Sequence, residues 1–233
     1  MLRGALGVLV MVSLAAWSFA EERKVPLVTK IPQEMLVGTP PDVLSMLFPG
    51  LEKPPKGKRP PLLVPEGTVN VALKKKVTSS DPAPILGELA FVTDGKKEGT
   101  EDNYVELGPM KQWVQIDLGQ PCTIYALFVW HYFREARSYH DVIVQVADDA
   151  DFSKNIRTIY SNDQDNSSGM GIGKARPYIE THQGKRIDAK GVRARYVRLY
   201  SAGNTANDLN HYVEVEVFGK PAPQGNVPNP KAQ

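Results

Sequence analysis

The chain has one cysteine, Cys122, in 233 residues. A disulfide framework needs pairs, so no intramolecular bridge can form. An excess of one charge is also missing: 28 basic and 26 acidic residues leave a net +2. That excludes the global basic field by which nucleic-acid binders hold phosphates. Histidine is scarce, with only His131, His140, His182 and His211. No HExxH, GxSxG or paired-cysteine motif occurs, and nothing favours a catalytic carboxylate pair. The sequence therefore reads as non-catalytic.

Long apolar runs are lacking too. The longest stretches from Gly4 to Trp17, behind Met1-Leu2-Arg3 and ahead of Ser18-Phe19-Ala20. A spanning helix needs about 20 apolar residues. A short positive start, a dozen apolar residues and a small-x-small site read as a signal peptide, residues 1–20, cleaved after Ala20. No cysteine lies at that site for lipid attachment. The expected destination is secreted, periplasmic or extracellular, with no transmembrane span in the mature chain.

Proline is plentiful but uneven. Ten of 19 prolines fall within residues 21–65 and four more within 220–233. Residues 21–67 are expected to form a Pro-rich linker, with one short helix around Pro40–Leu47, where prolines sit at a tolerated helix start. Lys53–Pro61 reads as a stiff, basic, extended spacer. Residues 220–233 read as a disordered tail.

Between Thr68 and Gly219 the pattern changes to period-two segments. Val114, Ile116 and Leu118 alternate with Gln115 and Asp117, and Thr123–Tyr132 is apolar on both faces. Val142, Val144 and Val146 alternate, as do Val197 and Leu199, then Val213, Val215 and Val217. Weaker candidates lie at Val69–Thr78, Arg157–Tyr160 and Tyr178–Thr181. About eight short strands without an intervening helical rhythm predict an all-β chain, an eight-stranded jelly-roll β-sandwich over 68–219.

Particular residues then carry a resemblance. Asn70-Val71-Ala72, Glu88-Leu89-Ala90-Phe91-Val92-Thr93-Asp94-Gly95 and Trp113-Val114-Gln115-Ile116-Asp117-Leu118-Gly119 come first. Arg195-Tyr196-Val197-Arg198-Leu199-Tyr200 and Glu214-Val215-Glu216-Val217-Phe218-Gly219 follow in order. This succession resembles the discoidin or coagulation-factor type C domain, within the galactose-binding-like superfamily that includes family 32 carbohydrate-binding modules. The resemblance implies a calcium-braced sandwich binding ligand through loops at one end. Vertebrate factor-type relatives close their ends with a disulfide, which Cys122 cannot supply.

It also implies a structural calcium held by Asp94, Thr100 and Glu214, with carbonyls from Phe91, Lys96 and Val213. Lys96 stands where many relatives carry Asp or Asn, and the threonine sits one residue further on. The turn's own chemistry leaves an alternative, Asp94 bonding local amides.

Three loops are rich in polar and aromatic groups: His131–His140, Asn162–Lys174 and Gly203–His211. Sugars need aromatic faces and planar hydrogen-bonding groups. The candidate ligand residues are His131, Tyr132, Arg134, Arg137, Tyr139, Asp165, Asn166 and Asn204. Asp163, Asp165 and Ser167 offer a second cation site without the Glu that EF-hand spacing needs. The expected partner is a glycan or cell-surface polysaccharide; the alternative is an adhesion or scaffold module binding a protein or an anionic membrane.

Overall fold

The computed structural model describes residues 22–48, 50–53, 59–100 and 103–222. The expected signal peptide and nearly all of the tail lie outside the described residues. The elements in order are β1 (Lys24–Pro26), α1 (Pro41–Leu47), β2 (Leu63–Pro65), β3 (Val69–Asn70), β4 (Lys76–Ser79) and a 3-10 helix (Leu89–Thr93). After it come β5 (Val105–Leu107), β6 (Gln112–Trp130), β7 (Ile143–Ala147) and β8 (Arg157–Ser161). The chain ends with β9 (Lys185–Ser201), β10 (Asn210–Tyr212) and β11 (Glu214–Pro221).

The predicted all-β sandwich is present, with its strands divided differently. The segments Trp113–Leu118 and Thr123–Tyr132 are two halves of one long strand, β6, and β9 is its long antiparallel partner. The main ladder runs β3-β11-β6-β9-β7-β8, and β4 also pairs with β6. Because β6 and β9 carry most of the pairing, seven strands join in one continuous bent ladder. The register of β6 on β9 shifts between Asp117 and Cys122 and again between Ile124 and Ala126, which bends the pair. Tyr178–Thr181 is no strand: only Tyr178 pairs, in an isolated bridge with Glu52.

At the first shift Asp117 closes the corner. Its carboxylate accepts two bonds from Arg195, Nε at 2.8 Å and Nη2 at 2.9 Å, and one from the Gly119 amide at 2.8 Å. The Arg195 hydrogen bond holds the Asp117 carboxyl below its ordinary pKa. A lowered carboxyl contributes stability above its unfolded pKa, and this is lost as pH falls through the folded value. Asp117→Asn is expected to cost about 1 kcal/mol at pH 7, since the pair is partly exposed. Denaturation curves should show the wild-type advantage intact above about pH 4 and shrinking progressively as pH falls below it.

The core lies between the inward faces that the alternation predicts. Val114, Ile116, Leu118, Val197, Leu199, Val215 and Val217 are fully buried in one cluster. A second, aromatic cluster gathers Phe128, Trp130, Phe133 and Phe218. Burial of each such side chain contributes roughly 1.5–3 kcal/mol.

The described part of the Pro-rich segment is not a free spacer. β1 and β2 pair with one another, and Leu27 and Leu62 pack on the aromatic cluster. The Val37 amide donates to Arg134 O at 2.6 Å and the Glu52 amide to Pro177 O at 2.7 Å. Proline spacing keeps much of this stretch extended, so beyond the β1–β2 pair and α1 it closes few of its own backbone bonds. The polar groups it does bury find partners on the sandwich instead. The expected short helix forms as α1, with Pro41 in its first turn and no buried side chain.

Candidate functional site

Three loops leave the sandwich at one end: 131–142 after β6, 162–184 after β8 and 202–209 after β9. Backbone bonds lace the first to the third. His140 N–H donates to Gly203 O at 3.0 Å, Ala202 N–H to His140 O at 2.9 Å and Thr205 N–H to Ser138 O at 3.0 Å. The first and second are tied by the Glu180 amide on Arg137 O at 2.9 Å and by the Val142 amide on Asn162 Oδ1 at 2.7 Å. At their seam lies a cavity of about 230 Å³ lined by Tyr139, His140, Asp141, Asn162, Gln164 and Asp165. Pro177 flanks it.

Of the predicted ligand residues, Tyr139 and Asp165 line this cavity. His131, Arg137, Tyr139 and Asn204 are buried, Tyr132 and Arg134 half-buried, Asp165 and Asn166 exposed. His131 stacks on Tyr139 with ring centres 4.4 Å apart, and its Nδ1 lies 2.6 Å from Glu180 Oε1. The Tyr139 hydroxyl bonds His211 Nδ1 at 2.9 Å, and His211 Nε2 lies 2.9 Å from Glu106. Burial pushes the His211 pKa down to about 3, with Arg137 and His131 adding to it. The ring is therefore neutral, Nε2–H donating to Glu106 and Nδ1 accepting from Tyr139.

Other candidates hold the loops in shape. Arg137 donates to Glu135 at 2.5 Å and covers the Tyr132 ring at 4.7 Å. Asn204 donates to Leu209 O and accepts from the Ala206 amide, at 2.8 and 2.9 Å. Asn166, at φ +60°, accepts from the Gly171 amide at 2.7 Å.

Four lining residues went unselected in the sequence. His140, Asn162 and Gln164 stand inside the polar loops, with nothing in the pattern to rank them above their neighbours, and Asp141 follows the first loop. Asn162 is 3% exposed, and its Nδ2 has no partner. One carboxylate oxygen from each of Asp141, Asp163 and Asp165 falls within 4.8 Å of the others, a possible metal-holding group. Asp163 is already occupied, accepting from the amides of Ser167 and Ser168, both at 3.1 Å, and from the Ser168 hydroxyl. Burial raises the Asp141 pKa, and Asp163 and Asp165 add to the rise.

The turn expected to hold calcium lies elsewhere, where the 3-10 helix meets β11. The Gly95 amide donates to Glu214 Oε2 at 3.1 Å, which brings the Asp94 turn onto the last strand. Glu214 is fully buried, and its Oε1 has no partner. Burial, despite the Gly95 bond, pushes its carboxyl up to about 9, with Glu216 and Asp94 adding. Asp94 Oδ1 accepts from the Lys96 amide at 2.8 Å, the local turn bond that was the alternative. Lys96 is exposed, Thr100 half-buried, and the Thr100 and Phe91 carbonyls accept from the Asn103 and Asp94 amides. The Val213 amide donates to Trp130 O at 2.8 Å. A buried carboxylate oxygen without a donor, beside a second carboxylate and a glycine turn, fits a hard cation.

No family model matches the chain, and no curated protein matches it. Solved structures do. The CBM32 of AlyQ, in complex with 4,5-unsaturated mannuronic acid, is similar at 20% identity over 61% of this chain and 93% of that one, TM-score 0.45. A Streptococcus pneumoniae fucose binding module matches at 18% over 64% and 96%, TM-score 0.46. A family 89 glycoside hydrolase from Clostridium perfringens matches at 18% over 66% of this chain and 15% of that chain, TM-score 0.50. The chain has the galactose-binding-like β-sandwich fold. Among the described residues no helix is long and apolar enough to cross a membrane.

Proposed function

We propose that this is an exported, non-catalytic carbohydrate-binding module that holds a glycan at the loop end of a calcium-braced sandwich. The observation that carries it is the polar cavity at the seam of the 131–142 and 162–184 loops, with Asn162, whose buried Nδ2 has no partner, among its lining residues. A sugar offers there what each group lacks. Its hydroxyls accept from Asn162 and donate to Asp141 and Asp165, while Pro177 supplies apolar surface. Fold likeness supports a binding module, since modules named for mannuronic acid and fucose are among the similar structures. Fold alone does not fix the ligand. Calcium would be held by Asp94 and Glu214, with Thr100 and the carbonyls of Phe91, Lys96 and Val213 completing an oxygen shell.

A glycan array followed by calorimetry tests the reading. At least one neutral oligosaccharide should bind, and Asp165→Ala should weaken it about tenfold, the loss of one charged hydrogen bond. A blank array at millimolar ligand sinks it. N-terminal sequencing of secreted protein should begin at Glu21. A protein partner is the second reading, favoured by Met46, Leu47 and Phe48, which are 74%, 66% and 52% exposed at the end of α1. A blank array together with cell binding lost in Met46→Ser/Phe48→Ser would put it first.

A further inference from the structure

A second cavity, of about 240 Å³, opens where the Pro-rich segment crosses the 178–186 stretch. Lys53 and Arg59 come from that segment; Tyr178, Glu180, Lys185 and Arg186 come from the sandwich. Its charges are unbalanced. Glu52 pairs with Lys185 at 2.5 Å, and Glu180 Oε1 is taken by His131. Among the described residues no carboxylate lies in ion-pair reach of Lys53, Arg59 or Arg186. Arg59 Nη1 reaches Gln183 O at 3.3 Å and Arg186 Nη1 reaches Pro60 O at 2.7 Å. Each guanidinium so keeps most of its donors free. Burial lowers the Arg59 pKa and the neighbouring Arg186 lowers it further, while Glu52 and Glu180 offset part of the shift.

The wall is also unfinished. Tyr178 and Glu180 line the cavity; the Tyr178 hydroxyl and Glu180 Oε2 are almost fully buried without a well-formed hydrogen bond, and burial together with the adjacent Glu180 carboxylate raises the Tyr178 pKa. Buried polar groups left unpaired cost about 1–3 kcal/mol each. Lys185 Nζ sits 4.5 Å above the Tyr178 ring, which fixes the tyrosine at the cavity edge. Cations for an anion, a hydroxyl donor and a carboxylate acceptor thus converge on a space about the size of one sugar ring.

We propose that this cavity binds an acidic sugar unit, bearing a carboxylate or a sulfate, and that the Pro-rich segment is part of a binding site. The anion would meet Arg59, Arg186 and Lys53, while ring hydroxyls would pair with Tyr178 and Glu180. Guanidinium forks match both oxyanions. The inference rests on the glycan-binding reading but names a different site, built partly from residues outside the region that resembles known modules.

Calorimetry on the full mature chain tests it with three probes: a hexuronate oligosaccharide, its carboxyl-reduced neutral form, and a sulfated neutral oligosaccharide. Wild type is expected to bind at least one acidic probe about tenfold more tightly than the reduced form, and less tightly as salt rises. Which of the two binds better tells carboxylate from sulfate. Arg59→Gln should abolish most of that preference. Lys53 is exposed, so Lys53→Gln, checked by an unchanged Tm, gives a several-fold loss without a folding penalty. Equal binding of acidic and reduced probes, or an acidic preference unmoved by both substitutions, overturns the inference and leaves the loop-end site standing. Acidic binding sensitive to Arg59 with no neutral binding anywhere keeps the inference and removes the loop-end cleft. No binding of any probe removes both.

Discussion

Chelating divalent cations from the purified protein is expected to lower its Tm by roughly 10 °C, and Glu214→Gln is expected to erase that response. A ligand bound only to the folded state at a thousand times its Kd stabilises by about 4 kcal/mol. For a domain of this size each kcal/mol moves Tm by about 2–4 °C. The expectation follows from Glu214, fully buried with one oxygen bonded to the Gly95 amide and the other to nothing. Without an ion that carboxyl is held protonated by its surroundings. With one, it becomes a ligand and its desolvation is offset. Glu214→Gln keeps the shape and an acceptor for Gly95 but loses the charge. The apo variant should melt no lower than apo wild type and should ignore added calcium. Scanning calorimetry with and without chelator reads both. An unchanged wild-type Tm after chelation, with no calcium uptake in a titration, would show that the turn is closed by Asp94 and Lys96 alone.

The second large effect belongs to a glycine. Gly184 has φ +62°, and a Cβ there would lie 2.5 Å from Trp130 Cε2 and 2.7 Å from its Nε1. Trp130 cannot retreat: it is fully buried, stacks on Phe128 at 5.6 Å and donates from Nε1 to His182 O at 2.9 Å. Gly184→Ala is therefore expected to cost about 3 kcal/mol, combining an unfavourable left-handed residue with overpacking. Gly169, also at positive φ (+73°), has nothing within 4 Å of its would-be Cβ. Gly169→Ala should cost only about 1 kcal/mol. Urea unfolding of the pair separates backbone strain from the clash, and equal losses would refute the packing argument. Gly184 also lines the cationic cavity, so Gly184→Ala should weaken any acidic ligand even where the chain still folds.

Alternation between Val114 and Leu118, and again between Val213 and Val217, was enough to assign strands and one buried face of each, although Glu214 and Glu216 on the other face of β11 are buried as well. That pattern depends only on side chains pointing to opposite sides of a pleated chain, a local property. The proposed calcium site was suggested only by the resemblance, because Asp94 and Glu214 are 120 positions apart and no local rule joins them. The loop residues were harder still. His131, Arg137 and Tyr139 have the chemistry of sugar binders, yet all three are buried. Asn162 and Asp141 line the cavity beside Tyr139 without any local mark of it, because which polar group faces a cavity depends on how separate loops pack.

The sequence by itself determined an all-β chain, the inward faces of its strands and the absence of any disulfide from its lone cysteine. The tertiary structure alone decided that β6 is one bent strand and that a Pro-rich segment lies on the sandwich. Only there do Lys53 and Arg59 meet Tyr178 and Glu180. Period-two patterning reports which side of a strand is apolar, a fact about neighbours in sequence. Where an extended segment without a period comes to rest is fixed by the sites on other elements that satisfy its backbone and its few apolar side chains, Leu27 and Leu62.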